Sequence, residues 1–281
     1  MFRNRRERAV RTIVITGGTD GMGAALARHH LAAGDRVTVI GRSRAKFEAL
    51  AAAAPSRAEF VAADLSLLAD GRRVVDRLKR SHERIDALVL AASFVRQRRH
   101  ETPEGHEASW ALFFLSKYLF VTRLADLLHA ADRPVIVNTA VPGARPDAIA
   151  FDDLEMVDGF TFKRSNAQQR RANELLGILA TDRNPDLGYV TWGPARLVRS
   201  SFAGEVGAGM RVAAAVLGPL LGQHPEDAIR PIIDVIDAPI PGRAAYRGAK
   251  ARPLTVGPHD EEDAARLAQA AEDALTKTRG V

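Results

Sequence analysis

The sequence predicts a single α/β domain built as a doubly wound parallel sheet, on three observations. Short, β-branched and almost wholly apolar runs alternate with longer Ala- and Leu-rich periodic runs. Strands buried on both faces have no polar side to show, so unbroken apolar runs replace the usual alternation. Pro55, Pro134, Pro185, Pro194 and Pro225 fall between these runs, where a missing N–H does least damage. With 281 residues, 46% of them hydrophobic, one large core can bury roughly three quarters of the unfolded surface.

Taken in order, the strands are expected at 12–16, 36–40, 58–62, 87–91, 135–139 and 188–192, each short enough to cross a sheet once. Between them the spacing predicts helices over 22–33, 45–53, 67–80, 104–128 and 167–181. A late strand at 244–247 and a terminal helix at 260–275 close the unit. Residues 1–9 read as a basic tail and 10–281 as the domain. Within it, 200–241 is rich in glycine with one helical run at 210–217, the pattern of a segment that covers a substrate. A plain surface insertion has the same composition.

Composition narrows the function classes. Forty Lys and Arg against 34 Asp and Glu give a formal charge of +6, much of it in Arg3–Arg11 and in Arg96–His100. No zinc-finger spacing or aromatic platform accompanies that charge, so nucleic-acid binding is not expected. No run of apolar residues is long enough to span a membrane, and none follows the basic start as a signal peptide would require. The absence of cysteine removes disulfides, thiolate metal sites and a cysteine nucleophile, and is compatible with a cytoplasmic protein. The histidines and carboxylates form no metal-binding spacing, so no metal is expected.

The first strand runs directly into Thr16-Gly17-Gly18-Thr19-Asp20-Gly21-Met22-Gly23. Glycines at a strand-to-helix turn let the backbone approach a pyrophosphate while the N–H groups of the helix start face negative charge, as in a Rossmann-like nucleotide site. The second strand ends Gly41-Arg42-Ser43-Arg44, without the carboxylate that would grip an unphosphorylated ribose. A guanidinium fork suits a 2′-phosphate instead, so NADP(H) is expected over NAD(H).

These elements, the TGxxxGxG pattern at Thr16–Gly23 and the pair Asp64-Leu65 after the third strand resemble the short-chain dehydrogenase/reductase family. Later stretches, Glu104-Gly105-His106-Glu107, Ala172-Asn173-Glu174-Leu175 and Tyr246-Arg247-Gly248-Ala249-Lys250, are similar to its retinol-dehydrogenase-like and protochlorophyllide-reductase-like branches. The resemblance implies a homo-oligomer and hydride exchange at a carbonyl or alcohol. It also implies nucleotide contacts from Asp64, Leu65, Ala91 and Pro194, together with the glycine turn and Arg42-Ser43.

The family's proton relay uses a tyrosine, a lysine four residues later, a serine and an asparagine. Its pattern falls here on Asn166, Arg170, Ala140 or Val141, and Phe113, so the expectation is a reaction centre in which all four are substituted. Asn and Arg lack a usable acid–base function, and Ala and Phe offer no proton. Arg170 keeps a positive charge that can hold ribose hydroxyls. Lys163, Ser165, Tyr118 and Ser93 are the candidate replacement donors, and Trp192 with Phe113, Ala140 and Asn166 would wall a substrate pocket.

Three readings follow. The first is an atypical enzyme acting on a small apolar, polyketide-like metabolite, with NADP(H) bound structurally and no net redox change, as in a cyclisation or isomerisation. The second is an NADPH-dependent reductase of a ketone, enone or imine with a replaced proton donor. The third is a catalytically silent NADP(H)-binding partner or regulator.

Overall fold

A computed structural model describes residues 9–196, 198 and 223–277. In chain order its regular elements are β1 (Thr12–Thr16), α1 (Gly21–Ala32), β2 (Arg36–Gly41), α2 (Arg44–Ala51), β3 (Ala58–Ala62), α3 (Leu68–Ser81) and β4 (Ala87–Leu90). A helical stack follows, made of α4 (Ala108–Trp110), a π turn (Ala111–Leu115), α5 (Ser116–Arg123) and α6 (Ala125–His129). The remainder is β5 (Val135–Asn138), α7 (Phe162–Arg183), β6 (Gly188–Gly193), α8 (Pro225–Ala228), α9 (Arg230–Asp237), β7 (Gly242–Arg247), β8 (Lys250–Arg252) and α10 (Asp260–Lys277).

The strands form one sheet in the order β3-β2-β1-β4-β5-β6-β7-β8. All neighbours are parallel except β7 and β8. Strand order therefore reverses between β1 and β4, where Thr16 lies in register with Leu90. The chain leaves these two strand ends in opposite directions, and the crevice between them is where a doubly wound sheet binds its ligand.

Both faces of the sheet are buried, as the apolar strand sequences require. One core packs Val14, Leu88 and Ile136 against α3, α5, α7 and α10, and the other packs Ile13, Val89 and Val137 against α1, α2 and α9. Trp192 belongs to the second core, is 1% exposed, and donates its indole N–H to the Gly248 carbonyl at 3.0 Å. It is thus a packing residue, and the expectation that it walls a substrate pocket is corrected.

Two other expectations change here. The helix expected over 104–128 begins only at Ala108, where the Glu107 carboxylate accepts from the N–H groups of Ser109 and Trp110, and it breaks at Leu124. Of the expected cover at 200–241, residues 200–222 and with them the run 210–217 lie outside the described residues. Its described remainder is α8 and α9, whose Ile229, Ile232 and Ile236 are buried in the second core. Pro225 and Pro231 occupy first-turn positions, where a helix needs no N–H from them, so neither interrupts its helix.

Candidate active site

A cleft of about 750 Å³ opens at the β1/β4 switch point. Its floor is the glycine turn. Gly17 adopts φ +68°, and a Cβ there would stand 2.6 Å from Cα of Ala92, so β1 and the segment after β4 approach too closely for any side chain. A Cβ on Gly23 would strike the Gly17 carbonyl oxygen. Behind the turn, the Thr16 hydroxyl accepts from the N–H groups of Ala91 and Ala92 at 3.0 and 3.2 Å, tying the two strand ends together. Thr16 and Gly18 are buried beneath the wall, whereas Gly17, Gly21, Met22 and Gly23 form it.

The end beside β2 and β3 is polar. Gly41, Arg42, Ser43 and Lys46 line it together with Asp64 and Leu65. A Cβ on Gly41 would press on the Thr19 side chain at 2.9 Å, so the bare backbone leaves that corner open. Ser43 caps α2 by accepting from the Lys46 N–H, which aims the first turn of the helix back at the cleft. The Asp64 carboxylate accepts from the hydroxyl and N–H of Ser66 at 2.7 and 3.0 Å, which fixes the turn carrying Leu65.

The other end is aromatic. Phe94 from the segment after β4, Phe113 from the π turn and Phe162 from α7 line it, with Ala91, Ser93, Ser165 and Asn166. Phe94 and Phe113 meet edge to face at 5.4 Å. The widened π turn leaves the Phe113 carbonyl oxygen to a side chain, and the Asn173 amide donates to it at 2.8 Å. Ser165 is 4% exposed and accepts from Gln169 Nε2 at 2.6 Å, so its own hydroxyl hydrogen is left for an acceptor in the cleft.

Behind Phe113 lies a buried polar network. Lys117 Nζ donates to Asn138 Oδ1 at 2.7 Å and stands 5.8 Å from the Phe113 ring centroid. Asn138 Nδ2 donates to Asn173 Oδ1 at 2.6 Å and to the Tyr189 hydroxyl at 2.8 Å, while Asn138 Oδ1 also accepts from the Ala140 N–H at 3.1 Å. Burial removes water from the Lys117 ammonium without a carboxylate to replace it, and lowers its pKa to about 7. Burial pushes the Tyr189 pKa well above the ordinary phenol value, against the lowering effect of the hydrogen bond donated by Asn138.

The remaining expected residues divide clearly. Phe113 and Asn166 line the cleft, but Ala140 and Arg170 do not. Arg170 spends its guanidinium on the carbonyls of Val141 and Pro142, at 2.7 Å each, so it braces the loop after β5 and does not hold a ribose. Pro194 is likewise outside the wall, and Lys163 is exposed on α7 away from it. The Tyr118 hydroxyl turns to Glu272 of α10 at 2.9 Å, and burial with that carboxylate pushes its pKa up to about 12.

Lys46, Asp20, Phe94, Phe162 and Lys117 went unmarked in the sequence reading. Lys117 had a signal: it is the one charge in the run Trp110–Val121, which is otherwise apolar but for Ser116 and Tyr118. Among the described residues no cluster of His, Asp and Glu could hold a metal ion, and no helix is long and apolar enough to cross a membrane.

Strand order, glycine turn and cleft define the class: an α/β protein of the dinucleotide-binding type. The family model for short chain dehydrogenase matches residues 11–148, just under half of the chain, in the part that carries the glycine turn. The chain is 29% identical over 239 residues to oxidoreductase calI of Penicillium decumbens, covering 78% of this chain and 68% of that protein. It is 28% identical over 194 residues to DnrU of Streptomyces sp. (strain C5), a candidate daunorubicin C-13 ketoreductase, covering 66% of each. The chain thus spans about two thirds of these relatives. Among solved structures, L-sorbose reductase of Gluconobacter frateurii, complexed with NADPH and L-sorbose, superposes with a TM-score of 0.60 at 15% identity, covering 87% of this chain and 98% of that one.

Three expectations are overturned. The four side-chain types are present and interacting behind the cleft wall, not lost. Ser116, Lys117, Tyr118 and Asn138 supply one of each, all hydrogen-bonded, on α5 and the adjoining end of β5. The branch-level resemblance is also withdrawn, because the matching model is that of short chain dehydrogenases in general. A non-redox cyclisation or isomerisation falls as well, since the relatives are named as an oxidoreductase and a ketoreductase.

Proposed function

We propose that the chain is an NADP(H)-dependent reductase of a carbonyl, enone or imine on a small, largely apolar molecule. The carrying observation is the polarity of one cleft: Arg42, Ser43 and Lys46 at one end, Phe94, Phe113 and Phe162 at the other, with the glycine turn between. The residues fit the nucleotide. A Cβ at Gly17 or Gly23 would fill the cradle, and no carboxylate follows β2 to oppose a 2′-phosphate. When bound, NADPH supplies the hydride. The NADPH in L-sorbose reductase and the ketone substrate in the name of DnrU favour the same chemistry.

The chain's own residues supply position and a proton. Ser165 offers its hydroxyl hydrogen to the substrate oxygen, and Asn166 beside it on α7 offers an amide. The aromatic end excludes water and takes up the apolar body of the substrate. Lys117, with a pKa of about 7, holds a transferable proton behind Phe113, matched to work near neutral pH. The test is NADPH absorbance followed across aromatic ketones, enones and cyclic imines, with product identified by mass. Consumption of one NADPH per reduced product supports the reading; binding without consumption contradicts it.

A further inference from the structure

A carboxylate stands at the mouth of a turn built to receive phosphate. Asp20 is the N-cap of α1, and its Oδ1 accepts from the Gly21 N–H at 2.7 Å. Free N–H groups at a helix start attract anions, and a dinucleotide brings several negative charges to this place. An unpaired Asp20 would therefore oppose the ligand that the rest of the turn is shaped to bind.

Lys46 answers that charge. Its ammonium crosses from the first turn of α2 and bonds Asp20 Oδ2, joining the glycine turn to the end of β2. The two side chains are 51% and 38% exposed, and an ion pair open to solvent is held weakly, so a stronger anion displaces the carboxylate at little cost. Arg42 and Ser43 line the same corner, and Thr19 lies against Gly41 there, which brings Asp20, Arg42 and Lys46 around one opening.

We infer that the Asp20–Lys46 pair is a charge-exchange latch that sets nucleotide selectivity. Lys46 leaves Asp20 for a ribose phosphate, and stays on Asp20 when the ribose carries none. This rests on the proposed NADP(H) reading and adds to it two residues with opposing roles. Lys46 and Arg42 favour the phosphorylated nucleotide, whereas Asp20 holds its affinity down by competing for Lys46.

Calorimetry on the full chain tests this with NADP+, NAD+ and adenosine 2′,5′-bisphosphate as probes. Lys46→Ala should weaken NADP+ and the bisphosphate about tenfold, the scale of one charge-assisted phosphate contact, and change NAD+ by less than about threefold. Asp20→Asn keeps the cap, because an amide oxygen also accepts from Gly21, and should tighten NADP+ relative to NAD+. In the Lys46→Ala background Asp20→Asn should no longer tighten NADP+ relative to NAD+, because the carboxylate has no Lys46 left to compete for; the same tightening there overturns the latch. Equal effects on NADP+ and NAD+ in either single variant, or no effect in both with thermal melts unchanged, overturn the latch while leaving the reductase reading in place. Absence of NADP+ and bisphosphate binding in the unmodified protein overturns that reading and the latch with it.

Discussion

The Asn173 amide donates to the Phe113 carbonyl oxygen at 2.8 Å, joining the middle of α7 to the π turn that carries the cleft's aromatic wall. The same side chain accepts from Asn138 at 2.6 Å, so one asparagine connects the wall to the Lys117 network behind it. Asn173→Leu should cost about 2–3 kcal/mol, because it leaves a buried carbonyl and a buried amide N–H without partners. Urea unfolding measures the loss. A variant as stable as the parent, with the same dependence on denaturant, would show that the π turn holds itself.

Lys117 makes stability depend on pH in a defined direction. Its pKa is about 7 in the folded chain and about 10.4 when unfolded, so between those values the unfolded chain binds the extra proton. Stability contributed by this group therefore rises with pH from about 7 to about 10, and below 7 the whole cost of burying the ammonium is present. Lys117→Met removes that cost. The variant should melt higher than the parent at pH 6, with the gap narrowing toward pH 10; parallel curves would mean that Lys117 is neutral throughout or solvated.

Arg171 is 1% exposed and holds Asp260 of α10 and, at 3.6 Å, Glu174 of its own helix. Glu174 in turn accepts from the Gly143 N–H at 2.7 Å, so the cluster fastens both α10 and the loop after β5. Arg171→Met should destabilise by about 3–5 kcal/mol at neutral pH, since it takes the cation from the buried Glu174 carboxylate and the half-buried Asp260 carboxylate. Burial already holds the Glu174 pKa above its ordinary value, and the deficit should shrink as acid neutralises that carboxylate. Thermal melts at pH 5 and pH 8 compare the two; an equal deficit would assign the loss to packing alone.

The fold could be read from the sequence because parallel strands buried on both faces leave a distinct record. Strands at 12–16 and 58–62 stand where the apolar runs place them, and most other strand ends differ by one residue. That the glycines and Arg42 share one cleft was legible for the same local reason: they lie within one turn of the strands that position them. The reaction end was not, because its partners are distant in sequence. Arg170 is drawn to the Val141 and Pro142 carbonyls, and Lys117 finds Asn138, by contacts that only the assembled sheet creates. A family pattern assigns positions, and here it pointed to Ala140 and Arg170, neither of which reaches the cleft.

Ser165→Ala bears on how the substrate oxygen is held. Loss of one positioned hydroxyl should lower kcat with a carbonyl substrate by about 10- to 100-fold, with smaller change in KM and none in NADP+ affinity. Steady-state kinetics with calorimetry separates these. A change confined to KM would make Ser165 a binding contact only.

The central claim is that this cleft transfers a hydride from NADPH to an apolar carbonyl-type substrate. Stoichiometry tests it most directly: NADPH consumed and reduced product formed, counted together in one reaction with an aromatic ketone, enone or imine. The account predicts one of each per turnover, with deuterium carried from labelled NADPH into the product. Substrate converted while NADPH stays intact, or nucleotide bound tightly with no conversion across all three substrate classes, would contradict it.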